Sequence, residues 1–185
     1  MKLLRVVTAY LALAAVADAR PCARQAGAPR FEDYAVTVWR GRAARLDLRS
    51  HPMARKYRTL MRQQLRERGV NFAGHYTLAS AGCGTGCSIG AIIDARSGRA
   101  YFPRELSGWT SIVGDYDPPE GEESWSYRPD SRLLRLVGRP NIGGPGEERY
   151  GPSGVYYYEW AGGRLRLVKF THVGSYPEAD RPGRR

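Results

Sequence analysis

The residues in this chain best equipped for chemistry are His75, Cys83 and Cys87, within the run FAGHYTLASAGCGTGCSIGAIID, residues 72–94. An imidazole and two thiolates are borderline and soft ligands that suit zinc or cuprous copper, and a C-x₃-C turn can bring both sulfurs to one ion. A fourth ligand is missing nearby, with His172 the distant candidate, so neither a metal nor a cofactor is expected. Nucleophilic catalysis would pair Cys83, Ser80 or Ser88 with His75 as base. No G-x-S-x-G elbow occurs, and the cysteine spacing is not the C-x-x-C of redox enzymes. Gly82, Gly84 and Gly86 resemble a phosphate-cradling loop but lack its Lys-Ser/Thr ending. No catalytic residue is assigned on these grounds.

In an oxidising compartment the simplest reading is a Cys83–Cys87 disulfide, with the glycines giving backbone freedom to a pinned turn. A bridge across so short a loop stabilises by roughly 2 kcal/mol in the chain-entropy model, so its purpose would be local stiffness. Cys22, the third cysteine, is the alternative partner of either sulfur. His75, Tyr76 and Thr85 form the candidate functional cluster around the turn.

The compartment follows from the first residues. Lys2 and Arg5 precede an apolar run from Val6 to Val16, and Ala17-Asp18-Ala19 follows as an A-x-A cleavage site. The run is well short of the roughly 20 residues that span a bilayer, and no comparable run follows. The expectation is an exported, periplasmic or secreted protein with no transmembrane segment in its mature form. Cleavage after Ala19 leaves 166 of the 185 residues, enough for one domain. The formal charge of +11 becomes +10 once Lys2, Arg5 and Asp18 are gone, nearly all of the positive charge being arginine. Export turns that charge away from nucleic acid and toward an envelope protein or an anionic envelope polymer.

Several elements must position the cysteine turn. Residues 20–30 read as a flexible leader, 31–175 as the domain and 176–185 as a disordered tail. Tyr34 to Trp39 and Arg45 to Leu48 suggest a first hairpin. Pro52 and Gly69 bracket an amphipathic helix of about 52–68, with Met53, Tyr57, Leu60, Met61 and Leu65 on one stripe. Arg55, Arg58, Arg62 and Arg66 gather on the opposite side as a candidate surface for an anionic partner. Strands on either side of the cysteines follow, then an Asp94 to Gly98 turn into Ala100 to Phe102. Short strands are expected at Trp109–Val113, Trp125–Tyr127 and Arg132–Val137. The final hairpin, Tyr156 to Trp160 and Arg164 to Phe170, turns at Gly162-Gly163. The pattern predicts an α+β fold, mainly antiparallel β, a meander or half-barrel of hairpins with one helix. A small propeller-like all-β fold is the alternative.

The runs FAGHYTL, GCGTGC, IIDARSGRAYFP and SWSYRPDSRLL, with the closing YYYEW and RLRLV, resemble a family of small exported bacterial proteins of uncharacterised function. That family shares a GHY strand, a GCGxxC turn and a DARxG hairpin. The resemblance covers about Asn71 to Lys169. It implies export and a β-rich fold, and carries over no catalytic residue.

The loop Asp115 to Glu123 holds five carboxylates. Asp115 and Asp117 match the first ligands of a calcium loop, but Glu120 replaces its glycine and Pro118 and Pro119 break it. Such a loop is expected to be solvated or paired with arginines, including the arginine ridge of another copy. The functional expectation is a non-catalytic binding or inhibitor-like envelope protein that presents the pinned turn, Tyr156 to Tyr158 and the arginine ridge. The alternative is a small extracytoplasmic enzyme or metal protein using His75 with Cys83 and Cys87.

Overall fold

A computed structural model of the chain describes residues 27–84, 87–111, 124–143, 147 and 149–173. The expected signal segment, most of the leader, Thr85, the acidic loop and the tail lie outside the described residues. The fold is α+β and mainly antiparallel, and the described residues build two four-stranded sheets with no closed barrel among them. Among the described residues no helix is long and apolar enough to cross a membrane.

In the first sheet, β1 (Tyr76–Gly84) pairs with β2 (Cys87–Asp94). β2 is central, because its other edge takes β3 (Ala100–Tyr101) and β4 (Ser107–Thr110) one after the other. The second sheet is a meander of β5 (Trp125–Tyr127), β6 (Leu133–Gly138), β7 (Gly154–Trp160) and β8 (Leu165–His172).

Side chains alternate across a strand, so β1 and β2 each serve two cores. Tyr76, Leu78 and Ile92 pack with Leu134, Leu136, Tyr156, Tyr158 and Trp160 of the second sheet. Ala79, Ala91 and Ile93 pack the other way, against Met61 and Leu65 of the helix. Helix, first sheet and second sheet therefore form three layers. Burying Leu78 or Ile92, both at 0% exposure, stabilises by about 1.5–3 kcal/mol each. At Gly90 a β-carbon would lie 3.0 Å from Leu106 and 3.4 Å from Trp125, so glycine lets the layers close.

The helix expected over 52–68 forms as α1 (Pro52–Lys56) and α2 (Arg58–Arg68), parted at Tyr57. The hydrogen bonds Tyr57 N to Met53 O (2.9 Å) and Met61 N to Tyr57 O (3.0 Å) continue through the break, which makes it a bend. Gly69 ends α2 with φ +57°. Met61 and Leu65 of the expected stripe are buried, while Met53, Tyr57 and Leu60 are half-buried.

The expected first hairpin does not form. Phe31–Tyr34 is a 3-10 turn, and the chain from Ala35 to Leu48 runs as a strap across turns of both sheets. Val36 N donates to Asp130 O (2.8 Å), Trp39 N to Gly74 O (2.7 Å), Ala44 N to Ala95 O (2.8 Å) and Asp47 N to Gly98 O (2.8 Å). Alternation of apolar and polar residues reports a half-buried extended chain, and here its partners are distant turns.

Candidate functional site

The Cys83–Cys87 disulfide forms, with Cα atoms 5.1 Å apart, and closes the tip of the β1–β2 hairpin. The ladder shifts register between Gly82 and Gly84, so the last pair, Gly84 with Cys87, is displaced from the regular pairing below it. This braced tip forms one wall of a cleft of about 700 Å³, within the range of small-molecule sites.

Met53, Ile89 and Phe102 supply apolar lining, and His51, Arg104, Asn141 and Tyr150 supply polar groups. His51 caps α1: its Nδ1 accepts from Met53 N at 3.2 Å, which leaves Nε2 as the N–H donor. Its ring stacks on Phe102 at 4.6 Å, so both position and tautomer are fixed. Asn141, nearly buried, donates to Ser107 O and Glu147 O, each at 3.2 Å, and accepts from Gly143 N at 2.8 Å. It thereby fastens the loop carrying Tyr150 to the start of β4. Arg104 stays largely exposed on the lip, bonded to Glu105 at 3.3 Å. An apolar lining with the His51 Nε2–H donor fixed beside it, and Arg104 and Tyr150 among the lining residues, suits a ligand held by shape and a few hydrogen bonds.

His75 stands elsewhere. It leaves a tight turn in which Ala73 and Gly74 take φ of +46° and +83° and a β-carbon on Gly74 would lie 2.8 Å from Thr37 O. Its ring lies against that of Tyr76 at 4.2 Å, and Nε2 is 3.9 Å from Asp94 Oδ1. Burial and then the charge of Arg96 lower its pKa, against the opposing pull of Asp94, so the ring is neutral at neutral pH. Asp94 is itself the cap of the expected turn, accepting from Arg96 N and Ser97 Oγ at 2.8 Å each.

His75 and the cysteines sit at opposite ends of β1. Eight residues of extended chain at about 3.3 Å each put them roughly 26 Å apart. They cannot act on one atom or hold one ion, and Ser80 and Ser88 lie five or more positions along the same ladder. His172 pairs with Gly154, while the far end of β7, Trp160, is the part that meets Tyr76, at 5.3 Å. Among the described residues no three His, Cys, Asp or Glu side chains are placed to hold a metal ion.

Tyr76 belongs to the core, edge-on to Trp160, and Thr85 lies outside the described residues. The tyrosine strand is also turned inward. Tyr156 and Tyr158 are 5% and 4% exposed, and the Tyr156 hydroxyl donates to Pro152 O. Burial pushes the Tyr156 hydroxyl up to about 12 and that of Tyr158 higher still. Only Tyr157 of the three is half-exposed, so this strand does not present an aromatic surface.

The four ridge arginines divide. Arg58 Nη1 donates to Arg55 O at 3.4 Å, whereas Arg62 and Arg66 line a second groove with Arg42 and Arg45 of the strap. His51, Phe102, Asn141, Tyr150, Arg42 and Arg45 were not singled out by sequence pattern as site residues. His51 carried a signal, its place before Pro52, but as a helix cap; the others have none that is local. Comparison of the chain with protein-family models, with curated proteins and with solved structures found no match.

Proposed function

We propose that the chain is an exported envelope protein whose domain binds a ligand or partner without catalysis of its own, using the disulfide-walled cleft. The observation that carries this reading is the cleft of about 700 Å³ in which covalent bracing, an apolar floor and fixed polar groups converge. The N-terminal segment, with Lys2 and Arg5 before an apolar run and its A-x-A site, and a disulfide of the kind favoured in an oxidising compartment, support export. The reading without catalysis is favoured by the placement of His75 and the two sulfurs at opposite ends of β1, which does not favour the alternative built on those three residues.

The test is differential. Mature protein with its bridge intact, and a variant carrying Arg104→Glu and Tyr150→Ala, are screened by thermal shift against envelope-derived small molecules and peptides. A ligand at 100 times its dissociation constant adds about 2.7 kcal/mol to stability, a shift of several degrees. The expected result is at least one ligand that raises the melting temperature of the wild type and not of the variant. Ligands that shift both proteins equally would exclude the cleft.

A further inference from the structure

A second groove, of about 690 Å³, lies between the strap and the C-terminal half of α2. Among the described residues its charged lining is Arg42, Arg45, Arg62 and Arg66, with no carboxylate. Some arginines elsewhere are matched, Arg128 with Glu32 (2.7 Å) and Asp130 (3.0 Å), Arg132 with Glu159 (3.2 Å) and Arg104 with Glu105 (3.3 Å). None of the four groove arginines has a side-chain hydrogen bond or ion pair among the described residues. All four are exposed, so water moderates their mutual repulsion, and together they make the concavity attractive to anions.

The arrangement is built rather than incidental. The strap is held in register by Ala44 N to Ala95 O and Asp47 N to Gly98 O, each 2.8 Å. A β-carbon on Gly98 would sit 1.9 Å from Arg45 O, so the turn beneath the strap admits only glycine at this approach. Arg62 and Arg66 stand one turn apart on α2 and line the same groove as the strap arginines. The C-terminus of α2 contributes only about half a negative charge, far less than the four guanidiniums. Leu46, Leu65 and Val70 supply an apolar floor beside the charge.

We propose that this groove binds a phosphate or diphosphate group carried on a molecule whose uncharged part lies over Leu46, Leu65 and Val70. Planar guanidinium forks chelate phosphate oxygens in pairs, and a multiply charged oxyanion balances four arginines better than a single carboxylate does. The groove is a separate site from the disulfide-walled cleft, with no lining residue in common.

Calorimetric titration of the disulfide-intact protein with pyrophosphate at low salt tests it, alongside flotation with vesicles containing phosphatidic acid. Arg42→Gln and Arg62→Gln should each weaken binding by about tenfold or more, the worth of a charge-assisted hydrogen bond. The double variant Arg55→Gln, Arg58→Gln, which removes ridge arginines outside the groove, should stay within about twofold of wild type. Pyrophosphate binding without flotation assigns the phosphate to a soluble ligand; flotation sensitive to the groove variants assigns it to a lipid headgroup. Binding by neither probe overturns the proposal. So does a loss that is the same in the control variant as in the groove variants, since that describes a generally basic surface.

Discussion

Gln64 is a polar residue on the buried side of α2, and both ends of its amide are engaged by one residue of β1. Its Nε2 donates to Ser80 O at 2.6 Å and its Oε1 accepts from Ser80 N at 2.9 Å. Asn71 does the same for Leu78, donating to its carbonyl at 3.2 Å and accepting from its N–H at 2.7 Å. β1 is an edge strand, and an open edge invites pairing with another chain. The two amides occupy the strand's outward backbone groups while α2 covers its face. His75, just before the same strand, has a consequence for pH. The folded state favours the neutral ring, whereas the unfolded chain takes up a proton at the ordinary value of 6.5. Stability contributed here is therefore complete above pH 6.5 and is lost as pH falls toward and through the lowered folded value. Unfolding free energies measured from pH 7.5 to 5 should decline less for His75→Gln than for the wild type. Parallel curves would show that the imidazole is not responsible.

At the scale of elements, the β1–β2 hairpin is held by long pairing below and by sulfur at its tip. Seven pairs from Tyr76 with Asp94 to Gly82 with Ser88 precede the register shift, so the lower hairpin does not need the bridge to form. The double variant Cys83→Ser, Cys87→Ser should lose about 2 kcal/mol in denaturant unfolding and keep its far-ultraviolet circular dichroism. A loss of 5 kcal/mol or more, on the order of that seen when a small disulfide-dependent domain loses its bridge, would mean the fold itself depends on it. The cleft wall, in contrast, does depend on the bridge, because the regular ladder ends at Gly82 with Ser88, and Cys83 and Gly84 beyond it are exposed. The β7–β8 hairpin turns without sulfur: Gly162 and Gly163 take φ of +57° and +123°, conformations that a side chain resists.

Across the whole molecule, the strap joins what the layers do not. It bonds in succession to the turn before β6, the turn before β1 and the turn between β2 and β3, at Asp130, Gly74, Ala95 and Gly98. Gly98→Ala would force both a φ of +78° and a contact with Arg45 O, and should cost on the order of 1–3 kcal/mol. If the strap also shapes the arginine groove, the same variant weakens pyrophosphate binding while leaving ligands of the disulfide-walled cleft unaffected. Unchanged stability would show that the strap moves aside freely.

Local chemistry written in consecutive residues was legible without coordinates. The Cys83–Cys87 pairing, the Asp94 turn, the glycine turn of the last hairpin and most strands depend on neighbours within a few positions, where residue type and spacing decide the outcome. Partners across the chain were not legible. Alternation shows that Tyr34 to Trp39 is half-buried but not that it lies on turns from another sheet. Likewise the run Tyr156 to Tyr158 has the same composition whether its rings face solvent or, as those of Tyr156 and Tyr158 do, the core between the sheets. The two grooves belong to that second category. Arg42 and Arg62 line one groove, and His51 and the cysteine hairpin another, only because three layers stack in one order, and stacking is fixed by burial summed over the molecule rather than by any segment's own pattern.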